Sequence, residues 1–167
     1  MMAHVLTLTT PSDREVAMTR TFDAPRDMVF EALTRPELIK RWLGVQNGWE
    51  MVVCEVDLKV GGAYRYVWRR TDGMEMGMGG TYREIVRPER IVTTESFDQS
   101  WYPGSAVGTV TLVERDGVTT LTLTVLYDSR EARDMVLQSP MESGVEAGYQ
   151  QLEKVLASLQ AEGGGAS

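Results

Sequence analysis

The side chains able to do chemistry are few and scattered. His4 is the one histidine and Cys54 the one cysteine, so the histidine-activated nucleophile of acyl transfer has little to be built from. A zinc site of histidines or several thiolates is equally unsupported. Cys54, between Val53 and Glu55 in a strand-like run, reads as a small buried apolar residue. Met74, Met76 and Met78 alternate, which puts their thioethers on one face of a strand where soft sulfur would suit Cu(I); adaptable apolar lining is the simpler account. No metal and no cofactor is expected. Five carboxylates, Glu55, Asp57, Glu75, Glu84 and Glu95, fall on or beside strand-like runs. One turned into an apolar interior would keep its proton to higher pH and could serve as an acid or base. Facing solvent, or paired with Arg65, Arg83 or Arg87, it would do neither, and the pattern favours this placement for most of them.

Gly144 and Gly148 carry a signal of another kind. They sit one turn apart inside a helical pattern that runs from Ser139 to about Leu159, with Met141, Val145, Tyr149, Leu152, Val155, Leu156 and Leu159 forming an apolar stripe. Each glycine costs such a helix on the order of 1 kcal/mol against alanine, so one face is kept bare for a reason. Close packing on a sheet is one reason, and space for a ligand is the other. Ser139, Pro140 and Glu142 mark the helix start with the residues of a capping box.

The sheet that such a helix needs is written in the rest of the chain. Glu15 to Phe22 alternates as a strand and Val5 to Thr9 does so more weakly. Two short helices follow, one after Asp23-Ala24-Pro25 with Met28, Val29, Ala32 and Leu33 on one face, and one from Pro36 to about Leu43. From Met51 to Tyr127 alternating runs separated by turn residues read as an antiparallel meander. Asp72-Gly73 and Asp116-Gly117 are the two expected type I' hairpin turns. Tyr64, Tyr66 and Trp68 share one strand face, while Leu121, Leu123 and Val125 oppose a threonine face, so the sheet has a dry side and a wet side. The fold class is α+β: a curved antiparallel sheet of about six to seven strands wrapped around a long C-terminal helix.

Composition sets outer limits. The 167 residues suit one domain, 1–167, with an ordered core over about 14–160 and a flexible tail over 161–167. With 17 Lys and Arg against 24 Asp and Glu, the net charge of -7 repels phosphate backbones, so nucleic acid is not an expected partner. No apolar run approaches the roughly 20 residues of a membrane span, and Met1 to Glu15 lacks an export pattern. A cytoplasmic location is expected.

With the elements in this order, Arg20-Thr21-Phe22-Asp23-Ala24-Pro25-Arg26, Pro36-Glu37-Leu38, Arg41-Trp42-Leu43-Gly44 and Asp57-Leu58-Lys59-Val60-Gly61-Gly62 take on a meaning together. With Gly80-Thr81-Tyr82-Arg83-Glu84-Ile85-Val86, Pro88-Glu89-Arg90-Ile91-Val92 and Ser129-Arg130-Glu131-Ala132-Arg133-Asp134, they resemble the bacterial family similar to the C-terminal domain of the activator of Hsp90 ATPase, in the START-like, or Bet v 1-like, superfamily. The resemblance covers nearly the whole chain and implies a helix-grip fold with a cavity under the closing helix. The family shares no catalytic residue, so none is carried over. Where the family often has a second Trp and a Gly-Pro, this chain has Leu43 and Gly44-Val45. Nothing in Met1 to Glu15 replaces the large preceding domain by which the eukaryotic co-chaperone serves Hsp90, so an Hsp90-type chaperone is not an expected partner. Homodimerisation is left open.

The expected function is binding of a small, largely apolar molecule between sheet and helix; the alternatives are a cyclase- or hydrolase-type enzyme using a cavity carboxylate and an Hsp90-type chaperone accessory protein. The expected ligand contacts are Trp42, Tyr64, Tyr66, Trp68, Met76, Met78, Tyr82 and Phe97 from the sheet side. Gly144, Gly148, Tyr149 and Leu152 complete them from the helix.

Overall fold

The computed structural model describes residues 4–46, 48–100 and 102–165. Its elements run β1 (Thr7–Thr9), β2 (Glu15–Phe22), α1 (Arg26–Thr34), α2 (Pro36–Trp42), β3 (Val45–Gln46), β4 (Trp49–Val56), β5 (Ala63–Arg70), β6 (Glu75–Val86), β7 (Arg90–Phe97), β8 (Ala106–Arg115), β9 (Val118–Tyr127), α3 (Arg130–Leu137) and α4 (Met141–Gly165). One antiparallel sheet takes the order β1-β2-β9-β8-β7-β6-β5-β4-β3. The meander from β3 to β9 is thus closed by β2, which pairs with β9 from Glu15 opposite Leu126 to Phe22 opposite Thr119. Because β2 and β3 stand near opposite ends of the sheet, the chain between them must cross it, and α1 and α2 are that crossing. The sheet exceeds the expected six to seven strands at its two edges, through β1, which keeps three residues of the weakly alternating run Val5 to Thr9, and β3, whose two residues are too few to show an alternation.

Turn chemistry decides the hairpins differently at the two Asp-Gly pairs. Asp116 and Gly117 both take positive φ, 53° and 79°, and Arg115 pairs directly with Val118, the two-residue geometry expected. At the β5–β6 turn only Gly73 is left-handed, at 93°. The Gly73 N–H donates to the Arg70 carbonyl, and the Asp72 carboxylate accepts from the Met74 N–H at 3.0 Å and from Arg70. A longer turn built on the aspartate side chain therefore replaces the expected type I' turn.

The helices are fixed at their ends by side chains. Ser129 caps α3 by accepting the Ala132 N–H at 3.0 Å. α1 has no side-chain cap of its own, and the Arg26 N–H donates instead to Glu114 of β8 at 2.8 Å. At α4, Ser139 Oγ accepts the Met141 N–H at 3.3 Å. The Ser139 N–H donates to the Val136 carbonyl, so the reciprocal half of the capping box, from Glu142, is not made. α4 runs on past Leu159 because Gln160, Ala161 and Glu162 are good helix formers even where no apolar contact remains. Of the expected tail, Ala166 and Ser167 lie outside the described residues.

The core gathers Phe22, Val29, Phe30, Leu121, Leu152 and Leu156, all fully buried, where α1, α2 and the second half of α4 meet the concave face of the sheet. Cys54 lies under α2, its thiol within reach of the Pro36 carbonyl, and burial raises its pKa. No helix among the described residues is long and apolar enough to cross a membrane.

Candidate ligand-binding cavity

The first half of α4 does not close down on the sheet. Between them lies a cavity of about 500 Å³, within the range of roughly 300–1,000 Å³ typical of small-molecule sites. Alternation along the strands builds its wall. Tyr64, Tyr66 and Trp68 reach it from β5, Met76, Met78 and Tyr82 from β6, and Phe97 from β7; Trp42 contributes from α2. Cross-strand register puts Tyr66 opposite Met78, Trp68 opposite Met76 and Met78 opposite Phe97, so these side chains form one continuous surface. Gly144, Gly148 and Tyr149 face it from α4. A Cβ added at Gly144 would meet nothing within 4 Å. Of the two reasons for a bare helix face, at this position the structure has open space. Gly144 and Met76 are both on the wall and exposed to solvent, which places the mouth between the start of α4 and the β5–β6 end of the sheet.

Leu152 is not on the wall. It shares the stripe of Tyr149, but beyond that residue α4 packs directly on α1 and α2, and Leu152 is sealed in the core. Met74 lies outside β6 and off the wall, so the three alternating thioethers do not meet in the cavity. Among the described residues no three His, Cys, Asp or Glu side chains gather as a metal site would need.

Of the five carboxylates, one enters the cavity. Glu84 pairs with Arg90 at 3.0 Å and Glu75 with Arg69 at 2.6 Å, on exposed surface, while Glu55 and Asp57 face solvent. Glu95 lies on the wall. Its surface is only partly covered and it faces the cavity, where burial lifts its carboxyl from 4.5 to about 7. Its charge in turn helps hold the phenols of Tyr64, Tyr102 and Tyr127 in their neutral form, after burial itself as the larger cause. Tyr64 donates to the Thr94 carbonyl at 2.8 Å.

Several wall residues are absent from the sequence reading. Thr93 and Ile91 were findable by counting back in twos from Phe97, and Tyr127 by extending the apolar side of β9 one step past Val125, which is itself on the wall. Gly108 on β8, opposite both Thr93 and Val125, widens the cavity beside Glu95. Tyr102 sits in the loop after β7, where no periodicity points to it.

A curved antiparallel sheet gripping a long C-terminal helix over an apolar cavity defines a START-like, helix-grip protein. The chain belongs to the family described as Activator of Hsp90 ATPase homolog 1-like protein, whose sequence model matches residues 23–157. Among solved structures, a Rhodobacter sphaeroides protein is similar at 31% identity, over 92% of this chain and 98% of its own, with a TM-score of 0.87. A Staphylococcus epidermidis protein is 26% identical over 91% of this chain and 94% of its own, with a TM-score of 0.78. A Mycobacterium smegmatis protein shares the fold at 21% identity, over 91% and 97%, with a TM-score of 0.79. No curated protein matches at a significant level.

Proposed function

We propose that the protein binds a small, largely apolar molecule in the space between the sheet and the first half of α4, in the cytoplasm. The observation that carries this reading is the cavity of about 500 Å³ left beneath a helix face that has given up its side chains. A wall of aromatic rings and thioethers supplies affinity by removing apolar surface from water, at about 25 cal/mol per Å² before ordering costs. The flexible methionines Met76 and Met78 let the wall adapt to more than one ligand shape. The twelve residues expected from the sequence, less Leu152, are the contacts this reading proposes.

Filling the cavity tests it. Gly144→Phe places a ring in space where a Cβ meets nothing and removes the helix penalty of glycine, so the fold should hold or gain a few tenths of a kcal/mol. Titration with the neutral fluorophore N-phenyl-1-naphthylamine should show binding to the wild type and at least about tenfold weaker binding to the variant. No binding by the wild type, or equal affinity in both, overturns the placement.

Glu95 supports a second reading, in which the same cavity performs acid–base chemistry. A carboxyl that titrates near neutrality is poised to accept a proton at working pH. Turnover of a cavity substrate would then rise with pH through about 7 and be lost in Glu95→Gln, whereas a flat pH profile removes the reading.

A further inference from the structure

Glu95 is the one charged side chain on the cavity wall among the described residues. Its position follows from the strand: Ile91, Thr93, Glu95 and Phe97 alternate onto the concave face, and Gly108 next to it on β8 has no side chain to cover it. A Cβ at Gly108 would come no closer than 4.0 Å to the Glu95 carboxylate, so the neighbouring strand leaves room for the group without confining it. What faces it is neutral: the phenols of Tyr64 on β5, Tyr102 in the loop after β7 and Tyr127 on β9, with Thr93 on its own strand. Lys, Arg and His are absent from the described wall, and α4 brings only Met141, Gly144, Val145, Gly148 and Tyr149 to it.

A carboxylate taken from water without a cation is expensive, and a site holding one is incomplete until a ligand supplies the counter-charge. The rings around it add a second attraction for the same kind of group. Tyr64 lies 5.2 Å from Tyr66 and 5.7 Å from Tyr82, and Tyr102 lies 5.2 Å from Tyr127, so the phenols that feel the Glu95 charge belong to two clusters of rings on the same wall. We infer that the cavity selects an apolar amine, whose ammonium meets Glu95 while its hydrocarbon part fills the space toward α4. The inference rests on the ligand-binding reading and adds the chemical class. It excludes apolar carboxylates such as fatty acids, which would bring a second negative charge to the same point.

Three compounds with one ring system and different heads test it: 1-naphthylmethylamine, 1-naphthalenemethanol and 1-naphthoic acid, each displacing N-phenyl-1-naphthylamine at about pH 8, where Glu95 is ionised. The amine should displace the fluorophore at a concentration at least about tenfold below the alcohol, with the acid weakest. Glu95→Gln should abolish the amine's advantage over the alcohol, each displacement being read against the variant's own fluorophore affinity, which separates the carboxylate from the general pull of a chain with net charge -7. Equal displacement by amine and alcohol, tighter binding of the acid, or an amine preference that survives Glu95→Gln overturns the inference alone. Failure of the fluorophore and all three compounds to bind overturns the ligand-binding reading and this inference with it.

Discussion

Glu95→Gln should make the ligand-free protein more stable at about pH 8 by about 3 kcal/mol, and by less than about 1 kcal/mol at about pH 5. The carboxyl holds its proton up to about 7 in the folded chain, against 4.5 ordinarily. Between those values the folded state carries a proton that the unfolded state has released. Stability therefore falls as pH rises through this window and levels off above it. A neutral amide of the same shape never makes the transition, so the variant keeps what the wild type loses. Urea midpoints for both proteins at the two pH values decide the matter. The wild type should lose stability from the lower to the higher pH and the variant should not. Parallel behaviour would mean that the Glu95 carboxylate is as well hydrated as a surface one. The depressed carboxyl of Asp72, at about 2, acts only below this window, because its ordinary value is 3.8.

That Glu95, and not Glu84, carries this property could not be read from the sequence. Both sit on strands among apolar residues. The difference is a bulge in β6 between Tyr82 and Glu84, which reverses the alternation: Met76, Met78 and Tyr82 face inward before it, and Ile85 packs on the core after it. The pleat of Tyr64, Tyr66 and Trp68 was legible because β5 has no such break facing β6. The bare face of Gly144 and Gly148 was legible too, but its cause was not, since close packing and empty space remove side chains alike. The misplacement of Leu152 has the same origin. A helical stripe shows which side of α4 is buried and does not show where along its length the helix parts from the sheet. Asp72-Gly73 and Asp116-Gly117 are identical as dipeptides, and only the registers of Arg69 with Glu75 and Arg115 with Val118 tell their turns apart.

The angle at which α4 stands over the cavity depends on a residue whose role no motif announces, and Arg20→Met should destabilise the protein by about 3 kcal/mol. Arg20, on β2, is 2% exposed. Its guanidinium reaches Glu146 at 3.4 Å and Glu153 at 3.5 Å, two turns apart on α4, and lies 4.9 Å from the centre of the Phe22 ring. Glu146 falls between Gly144 and Gly148, so this ion pair holds the helix at the level of the cavity. It is also under strain for partners: one Glu146 oxygen is buried with no hydrogen bond. Removing the guanidinium would strand that carboxylate, which costs more than the pair contributes. A second change, Glu146→Met on top of Arg20→Met, should therefore recover most of the lost stability in urea unfolding, as apolar replacement of both partners often does. Equal losses in the single and double variants would show instead that the arginine stem packed on Phe22, rather than its charge, holds the helix in place.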